Sequence, residues 1–452
     1  MVYKKYMDTS TPLKSSFKSS IDVYDWISGF INFERGQSQV EFRLDRMNAL
    51  AAKAGHPESF APAIHIAGSK GKGSVTGMIA AILEASGLKT ARYSSPHISD
   101  FRERITLGKD FFDEDIYVMA GEELRELVKG FENEPTFFEL ITLWFFLCAR
   151  QSRSQALAVE TGLGGRLDAT NILDPLVSVI TIIELEHTEI LGDTITAIAG
   201  EKAGIIKPGR PLVLAEQSDE ALKVFIEHTS RKKSPLFYFP DMAELQNVRV
   251  SPEGSSFTLV LKNETFTDLF IPIPGEVQTK NASLAALAVK TAFPSVQEKD
   301  IRKGLAQFTL PARFERISDN PPFVIDGAHT GKSIDLCLKT FTGLYGSGGI
   351  LIFGCAAGKD ILTMAKLCVP CFSRIIITTP GTFKKSNPEE IHAAFVREIE
   401  TAKNAPEILF IPDTAQAIDK AINLALEHRL PVLGAGSFYL AGEIRKKAEY
   451  RR

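Results

Sequence analysis

Apolar positions along the chain change repeatedly between two spacings. Short, nearly uninterrupted apolar runs occur at residues 64–67, 156–159 and 176–183, which is typical of strands buried on both faces of a parallel sheet. Between such runs, apolar residues recur every three or four positions, as at residues 75–83, which predicts helices. This alternation predicts an α/β fold with a mostly parallel sheet.

The same spacings predict further elements around this sheet. Helices are expected within residues 21–55, 113–129, 140–149 and 195–206, and a further strand at residues 89–94. Period-two alternation at residues 248–261 and 266–273 predicts a small antiparallel addition.

Strand and helix patterns restart after residues 309–313. The later strands are expected at residues 323–325, 350–353, 374–378, 409–411 and 431–433, with helices between them. We therefore predict an N-terminal domain at residues 1–310 and a smaller, Rossmann-like α/β C-terminal domain at residues 311–452.

The first apolar run leads into a loop of glycine and lysine and then into a helix. The loop consists of Gly68, Ser69, Lys70, Gly71, Lys72, Gly73 and Ser74. This order of strand, loop, lysine, hydroxyl and helix N-terminus is typical of nucleotide triphosphate binding, with Lys72 at the outer phosphates and Ser74 at Mg²⁺. The strict spacing is not met, because only two residues separate Gly68 from Gly71 and Gly73 precedes Ser74. We therefore predict a P-loop-type ATPase domain, and the alternative is that the loop is only a tight structural turn. Lys70 is either a phosphate contact or a solvated side chain.

Polar side chains follow two other predicted strands. Glu160 ends one strand before a glycine cluster at residues 162–165, and His187 lies just beyond the next. Ligands of doubly wound sheets bind outside the carboxyl ends of the strands, so these residues and the phosphate loop should face one crevice. Glu160 is a good Mg²⁺ ligand candidate because that ion prefers hard oxygen donors, whereas imidazole is less usual. A solvated strand end and an ordinary histidine are the alternatives.

Composition excludes several classes of protein. The 52 basic residues nearly balance 55 acidic ones, which gives no basic field for nucleic acid or an anionic membrane. No apolar run is long enough to span a membrane, and the first 18 residues lack the apolar segment of a signal peptide, so we expect a cytoplasmic protein. The five cysteines suggest reduced thiols, and the lone C-x-x-C at Cys368 and Cys371 favours core packing over a metal or redox site.

Two further features have ordinary interpretations from the residues alone. Lys202 lies on a predicted helix among small residues, where a surface lysine is expected, and an ammonium group cannot bind a metal ion. Asp326 precedes Gly327, Ala328 and His329 just after a strand, and aspartate is a common helix cap.

Several motifs together resemble the folylpolyglutamate synthase and dihydrofolate synthase family, relatives of the Mur ligases. They lie at residues 32–36, 68–74, 95–104, 160–171, 187–192, 200–207, 326–329 and 436–440, with Asn281 and Arg313 as single positions. The resemblance implies ATP-dependent ligation of L-glutamate to a folate through an acyl phosphate, with tetrahydrofolate, dihydropteroate or both as acceptor. The N-terminal domain then corresponds to the Mur-ligase central domain.

The resemblance also implies roles for individual residues. Ser74 and Glu160 would bind one Mg²⁺, and Glu160, His187 and a carbamylated Lys202 a second, while Lys72 would hold phosphate charge. ATP would be held by four further residues: Asn281, Arg313, Asp326 and His329. The resemblance also implies K⁺ as a cofactor. Glu186 and Thr330 depart from the aspartate and asparagine usual in the family, and Ser69 from a common threonine. We expect a monomer, and keep a Mur-type cell-wall peptide ligase and a non-catalytic nucleotide-binding module as alternatives.

Overall fold

The computed structural model describes residues 16–32, 43–262, 264–381, 385–402 and 404–449. Most of the resemblance motif at residues 32–36 lies outside the described residues. The first part of the chain contains the helices α1 (Ser20–Ser28), α2 (Asp45–Lys53), α3 (Lys72–Ala85), α4 (Glu114–Val128), α5 (Phe137–Gln151), α6 (Thr188–Leu191), α7 (Ile195–Ala203), α8 (Asp219–Lys232), α9 (Phe239–Met242), α10 (Glu276–Ala292) and α11 (Glu298–Gln307). Its strands are β1 (Ala63–Ala67), β2 (Thr90–Tyr93), β3 (Ile105–Leu107), β4 (Asp110–Phe111), β5 (Ala156–Glu160), β6 (Val177–Ile180), β7 (Leu212–Leu214), β8 (Leu236–Tyr238), β9 (Ala243–Ser251), β10 (Gly254–Leu261) and β11 (Glu264–Ile271).

The later part of the chain repeats the strand and helix alternation. Its strands are β12 (Glu315–Asp319), β13 (Pro322–Ile325), β14 (Gly349–Phe353), β15 (Phe372–Ile377), β16 (Glu407–Phe410) and β17 (Val432–Ala435). Its helices are α12 (Gly331–Tyr345), α13 (Ile361–Cys368), α14 (Pro388–Glu400), α15 (Thr414–His428) and α16 (Phe438–Glu449).

An eight-stranded sheet organises the first part, in the order β4-β3-β2-β5-β1-β6-β7-β8. The neighbours β2, β5, β1, β6, β7 and β8 pair in parallel, whereas β3 pairs antiparallel with both β2 and β4. Every residue of β1 and β5 is buried, as their apolar runs predicted, because helices cover both faces of the sheet. One face packs against α3, α10 and α11, and the other against α1, α4 and α5.

The predicted antiparallel addition and second α/β sheet are both present. Strands β11, β10 and β9 form a three-stranded antiparallel sheet, and a six-stranded sheet has the order β12-β13-β17-β14-β15-β16. The five strands predicted for the second sheet are all found, and the pattern missed only the antiparallel edge strand β12. This strand is partly exposed throughout and therefore lacks an apolar run. No helix among the described residues is long and apolar enough to cross a membrane.

The topology places three strand ends at one edge. Strands β5, β1 and β6 are neighbours, and the residues that follow their carboxyl ends are the glycine cluster, the phosphate loop and the segment 181–187. The strand predicted at 176–183 stops at Ile180, and Ile182 then pairs with Lys70 of the phosphate loop. Sheet order therefore places the phosphate loop, Glu160 and the segment that leads to His187 at one edge of the sheet.

Candidate active site

The phosphate loop depends on two glycines with positive φ. Gly68 has φ +145°, and a Cβ there would lie 1.8 Å from the Thr181 hydroxyl oxygen. Gly71, with φ +87°, is the N-cap of α3, and a Cβ there would lie 2.8 Å from the Asn281 side-chain oxygen. Backbone conformation disfavours a side chain at both positions, and at Gly68 the close approach of Thr181 also leaves no space for one. The contact also places Asn281, on α10, directly beside the loop.

Two lysines converge on one carbonyl oxygen of this loop. The ammonium groups of Lys72 and Lys202 each donate a hydrogen bond of 2.9 Å to the Gly68 oxygen. Lys202 also pairs with Glu186 at 2.9 Å. The arrangement concentrates positive charge beside a helix N-terminus, which is suited to a polyphosphate.

The interpretation of Lys202 as a surface lysine is wrong, because its side chain is only 1% exposed. Helix α7 packs tightly on the glycine cluster: a Cβ on Gly204 would lie 2.4 Å from the Cα of Arg166, and one on Gly165 would lie 2.9 Å from the Glu201 oxygen. This close approach turns Lys202 inward. Burial lowers the pKa of Lys202 to about 8, and the charge of Lys72 adds to this effect while Glu186 opposes it.

Glu160 ends β5 as a buried carboxylate with little hydrogen bonding. The residue is 3% exposed, and it accepts one long hydrogen bond, 3.4 Å, from the Ser95 N–H. Burial raises the pKa of Glu160 to about 7, although the charges of Lys72, Arg313 and Arg92 counteract the rise. A Cβ on Gly73 would lie 3.5 Å from its Oε2, so the first turn of α3, which carries the buried Ser74, faces this carboxylate.

His187 is less enclosed than these residues. Its ring is 54% exposed and its Nδ1 lies 3.9 Å from Glu189. Its backbone is left-handed, with φ +47°, at the start of the short helix α6. The described residues contain no group of three or more His, Cys, Asp or Glu side chains arranged to hold a metal ion. The structure therefore leaves the metal role of His187 as a prediction.

Asp326 organises the first loop of the later part of the chain. Its carboxylate accepts hydrogen bonds from the N–H groups of Phe314 and Ala328, at 2.8 and 2.7 Å. It does not cap the following helix, because Thr330 is the N-cap of α12. The prediction of an Asp326 cap is wrong in this respect, since the carboxylate instead joins the loop to the segment that carries Arg313.

Arg313 and His329 share one aromatic neighbour, Phe438. The Arg313 guanidinium lies 4.4 Å from the centre of the Phe438 ring, and the His329 ring contacts it edge-on at 5.7 Å. The Gly327 oxygen lies 2.8 Å from His329 Nδ1, while burial lowers the pKa of His329 to about 4. The imidazole is thus neutral, donates from Nδ1 and leaves Nε2 as an acceptor.

Internal hydrogen bonds order the polar loop at residues 95–104. The Glu103 carboxylate accepts from the N–H groups of Ile98, Ser99 and Asp100 at 2.6 to 3.1 Å. The buried Arg104 donates to His97 at 2.8 Å. The loop therefore presents a defined surface next to Glu160, which its Ser95 N–H contacts.

Sequence reasoning assigned no role to three residues at this site. Arg92 lies in strand β2, which pairs with β5. Its positive charge lowers the pKa of Glu160 at the end of β5. Glu184 bonds to Ser69 through its backbone, and Phe438 supports Arg313 and His329. An arginine within a buried strand was a usable signal for Arg92. Phe438 lies in the motif at residues 436–440, which pointed to the family but gave this residue no role of its own. The contacts of Glu184 are long-range and had no signal in the sequence.

Family comparisons match both parts of the chain. The Mur ligase middle domain matches residues 66–289, and the Mur ligase glutamate ligase domain matches residues 312–438. The chain is 32% identical over 360 residues to a dihydrofolate synthase/folylpolyglutamate synthase of Bacillus subtilis, covering 77% of this chain and 83% of that protein. It is also 32% identical over 409 residues to a folylpolyglutamate synthase of Lacticaseibacillus casei, covering 87% and 95%.

Solved structures agree with these relatives over nearly the whole chain. A folylpolyglutamate synthase of Thermotoga maritima has a TM-score of 0.83 at 28% identity, covering 96% of this chain and 97% of that chain. The Mycobacterium tuberculosis enzyme complexed with ADP has a TM-score of 0.85 at 26% identity, covering 95% and 98%. A complex of folylpolyglutamate synthase with AMPPCP and folate has a TM-score of 0.77 at 28% identity, covering 95% and 99%. The chain therefore belongs to the folylpolyglutamate synthase and dihydrofolate synthase family of Mur-type ligases.

Proposed function

We propose that this protein uses ATP to ligate L-glutamate to a folate, by tetrahydrofolate polyglutamylation, by conversion of dihydropteroate to dihydrofolate, or by both. The observation that carries the proposal is the convergence of Lys72 and Lys202 on the Gly68 carbonyl beside the buried Glu160. Relatives crystallised with ADP, and with AMPPCP and folate, support the nucleotide and the acceptor.

The chemistry requires a carboxylate of the folate to attack the γ-phosphate of ATP. The resulting acyl phosphate is then attacked by the glutamate amine, which forms the amide and releases phosphate. Lys72 and the N–H groups at the start of α3 stabilise the charge on the transferring phosphoryl group. Asn281, Arg313, Asp326 and His329 hold the nucleotide, the last with a neutral imidazole. Most of the rate enhancement then comes from positioning and electrostatics.

A magnesium ion fits the Glu160 side of the site. This carboxylate is buried and accepts one long hydrogen bond, and its pKa stays raised although Lys72, Arg313 and Arg92 act on it, so a divalent cation would further stabilise its ionised form. Gly73, which precedes the buried Ser74 in the first turn of α3, lies beside it. Ser74 and Glu160 would hold the ion, which when bound neutralises phosphate charge.

A second magnesium ion requires a change in Lys202. As an ammonium group, Lys202 donates to Gly68 and Glu186 and cannot be a ligand. Reaction of its neutral amine with CO₂ forms a carbamate and releases a proton, which would supply oxygen donors beside Glu160 and His187. A pKa lowered to about 8 makes the neutral amine accessible near neutral pH. K⁺ is proposed on family resemblance alone. A monomeric state and a cytoplasmic location are further proposals.

Two other functions use the same phosphate loop. A Mur-type cell-wall ligase would take a UDP-sugar peptide, and a nucleotide-binding module would bind ATP without turnover. The nearly full-length match to folate ligases favours the folate reaction over the first. The buried Lys202 and Glu160 favour turnover over the second, because buried ionisable groups with strongly shifted pKa values are typical of catalytic sites.

Release of ADP provides the direct test. It should require both a folate and L-glutamate, measured with dihydropteroate and with tetrahydrofolate in separate reactions. Turnover of a UDP-sugar peptide alone would favour the cell-wall ligase. Tight ATP binding with no acceptor-dependent ADP release would favour the nucleotide-binding module.

A further inference from the structure

One ion pair joins the two parts of the chain close to the phosphate loop. The Lys332 ammonium lies 2.6 Å from the Glu184 carboxylate. The Glu184 side chain is only 17% exposed, whereas Lys332 is 63% exposed. A pair in which one partner is largely removed from water is worth more than a fully exposed one.

The backbone of Glu184 is itself bonded to the phosphate loop. The Ser69 hydroxyl donates to the Glu184 oxygen, and the Glu184 N–H donates to that hydroxyl, both at 3.0 Å. The Ser69 N–H also donates to the Ile182 oxygen at 2.9 Å. Two hydrogen bonds therefore tie the Glu184 backbone to Ser69 of the phosphate loop, and a third ties Ser69 to the same segment at Ile182.

Lys332 lies close in sequence to residues of the later part that are proposed to hold the nucleotide. It is the second residue of α12 and follows His329 by three positions. The first turn of α12 carries no acidic residue of its own. Glu184 thus brings a negative charge towards a helix end that favours one.

The segment 184–186 forms a second ion pair, whose partner lies in the first part of the chain. Glu186 contacts Lys202 at 2.9 Å inside the first part of the chain, whereas Glu184 contacts Lys332 of the later part. The same short segment therefore connects the phosphate loop, the buried lysine and α12.

We propose that Lys332 is a positioning residue whose pair with Glu184 holds Arg313, Asp326 and His329 at the correct distance from the phosphate loop. The inference rests on the proposed ATP-dependent function. Lys332 contacts no reacting atom; it acts by favouring the arrangement in which both halves of the nucleotide site face each other. Loss of the pair should weaken nucleotide binding and leave the chemical step largely intact.

Three variants test the pair: Lys332→Glu, Glu184→Lys and the double exchange. Each single variant should raise the KM for ATP and the Kd of a fluorescent ADP analogue roughly three- to tenfold, with kcat changed less than twofold. The double exchange should recover most of the lost affinity, and Lys332→Arg should behave like the wild type. Raising ionic strength should weaken wild-type binding more than binding by Lys332→Glu.

A pair on the same helix gives a matched control. Lys339 and Asp335 of α12 lie 2.7 Å apart, and both belong to the later part of the chain. Lys339→Glu should leave the KM for ATP unchanged. Equal effects at residues 332 and 339, or no recovery in the double exchange, would overturn the inference. Because ADP binding is measured without acceptor, a wild type that binds ADP but ligates no glutamate would refute the proposed function and leave this test valid.

Discussion

Replacement of Glu160 by glutamine should stabilise the metal-free protein and abolish its ligase activity. The side chain is buried at the end of β5, where ionisation is unfavourable, yet a carboxylate is needed there if the residue binds magnesium. Glutamine has nearly the same shape and cannot ionise. The substitution therefore separates the cost of the buried charge from the packing of the site.

The size of the effect follows from the pKa. Burial raises the pKa of Glu160 from 4.5 to about 7 in the folded protein. A tenfold change in proton affinity corresponds to about 1.4 kcal/mol, so the ionised carboxylate costs about 3 kcal/mol. A folded-state pKa above the unfolded one means that the wild type is free of this cost below about pH 4.5. The cost grows as pH rises and is complete above about pH 7.

Urea unfolding in EDTA at a series of pH values measures this difference. Both tryptophans, Trp26 and Trp144, lie in the first part of the chain and report its unfolding. The advantage of Glu160→Gln over the wild type should widen between pH 5 and pH 8. The exposed Glu244→Gln is a control that should track the wild type at every pH. A difference that does not change with pH would refute the reasoning, as would full ligase activity in Glu160→Gln.

Three other predictions concern the same site and the domain organisation. Lys72→Ala should abolish folate-dependent ADP release while circular dichroism and unfolding remain near wild type; retained turnover would remove Lys72 from the phosphate site. Lys202→Ala should be inactive and partly rescued by small carboxylates, and intact wild-type protein should gain the mass of CO₂ as pH rises through about 8. Absence of both rescue and adduct would contradict carbamylation. Chains cut near Leu310 should yield two soluble halves that each unfold cooperatively, and a single inseparable unit would contradict the proposed boundary.

Much of the fold could be predicted because its signals are local. The buried strands β1 and β5 are continuous apolar runs, and the phosphate loop combines a strand, glycines and a helix start within a few residues. The convergence of Glu160 with this loop also followed from the sequence, since neighbouring parallel strands end at the same edge. The partly exposed β12 escaped prediction because an edge strand needs no apolar run.

Tertiary structure decided how far each individual site residue is buried. Lys202 is buried because Gly165 and Gly204 allow α7 to approach the glycine cluster, a contact between residues far apart in sequence. His187 stays half exposed because β6 ends at Ile180 and His187 lies seven residues later, at the start of α6, whereas Glu160 is itself the last residue of the buried β5. The sequence by itself determined which residue types lie at the crevice. Burial, charge and pairing across the two parts depend on long-range packing, and only the folded structure determines them.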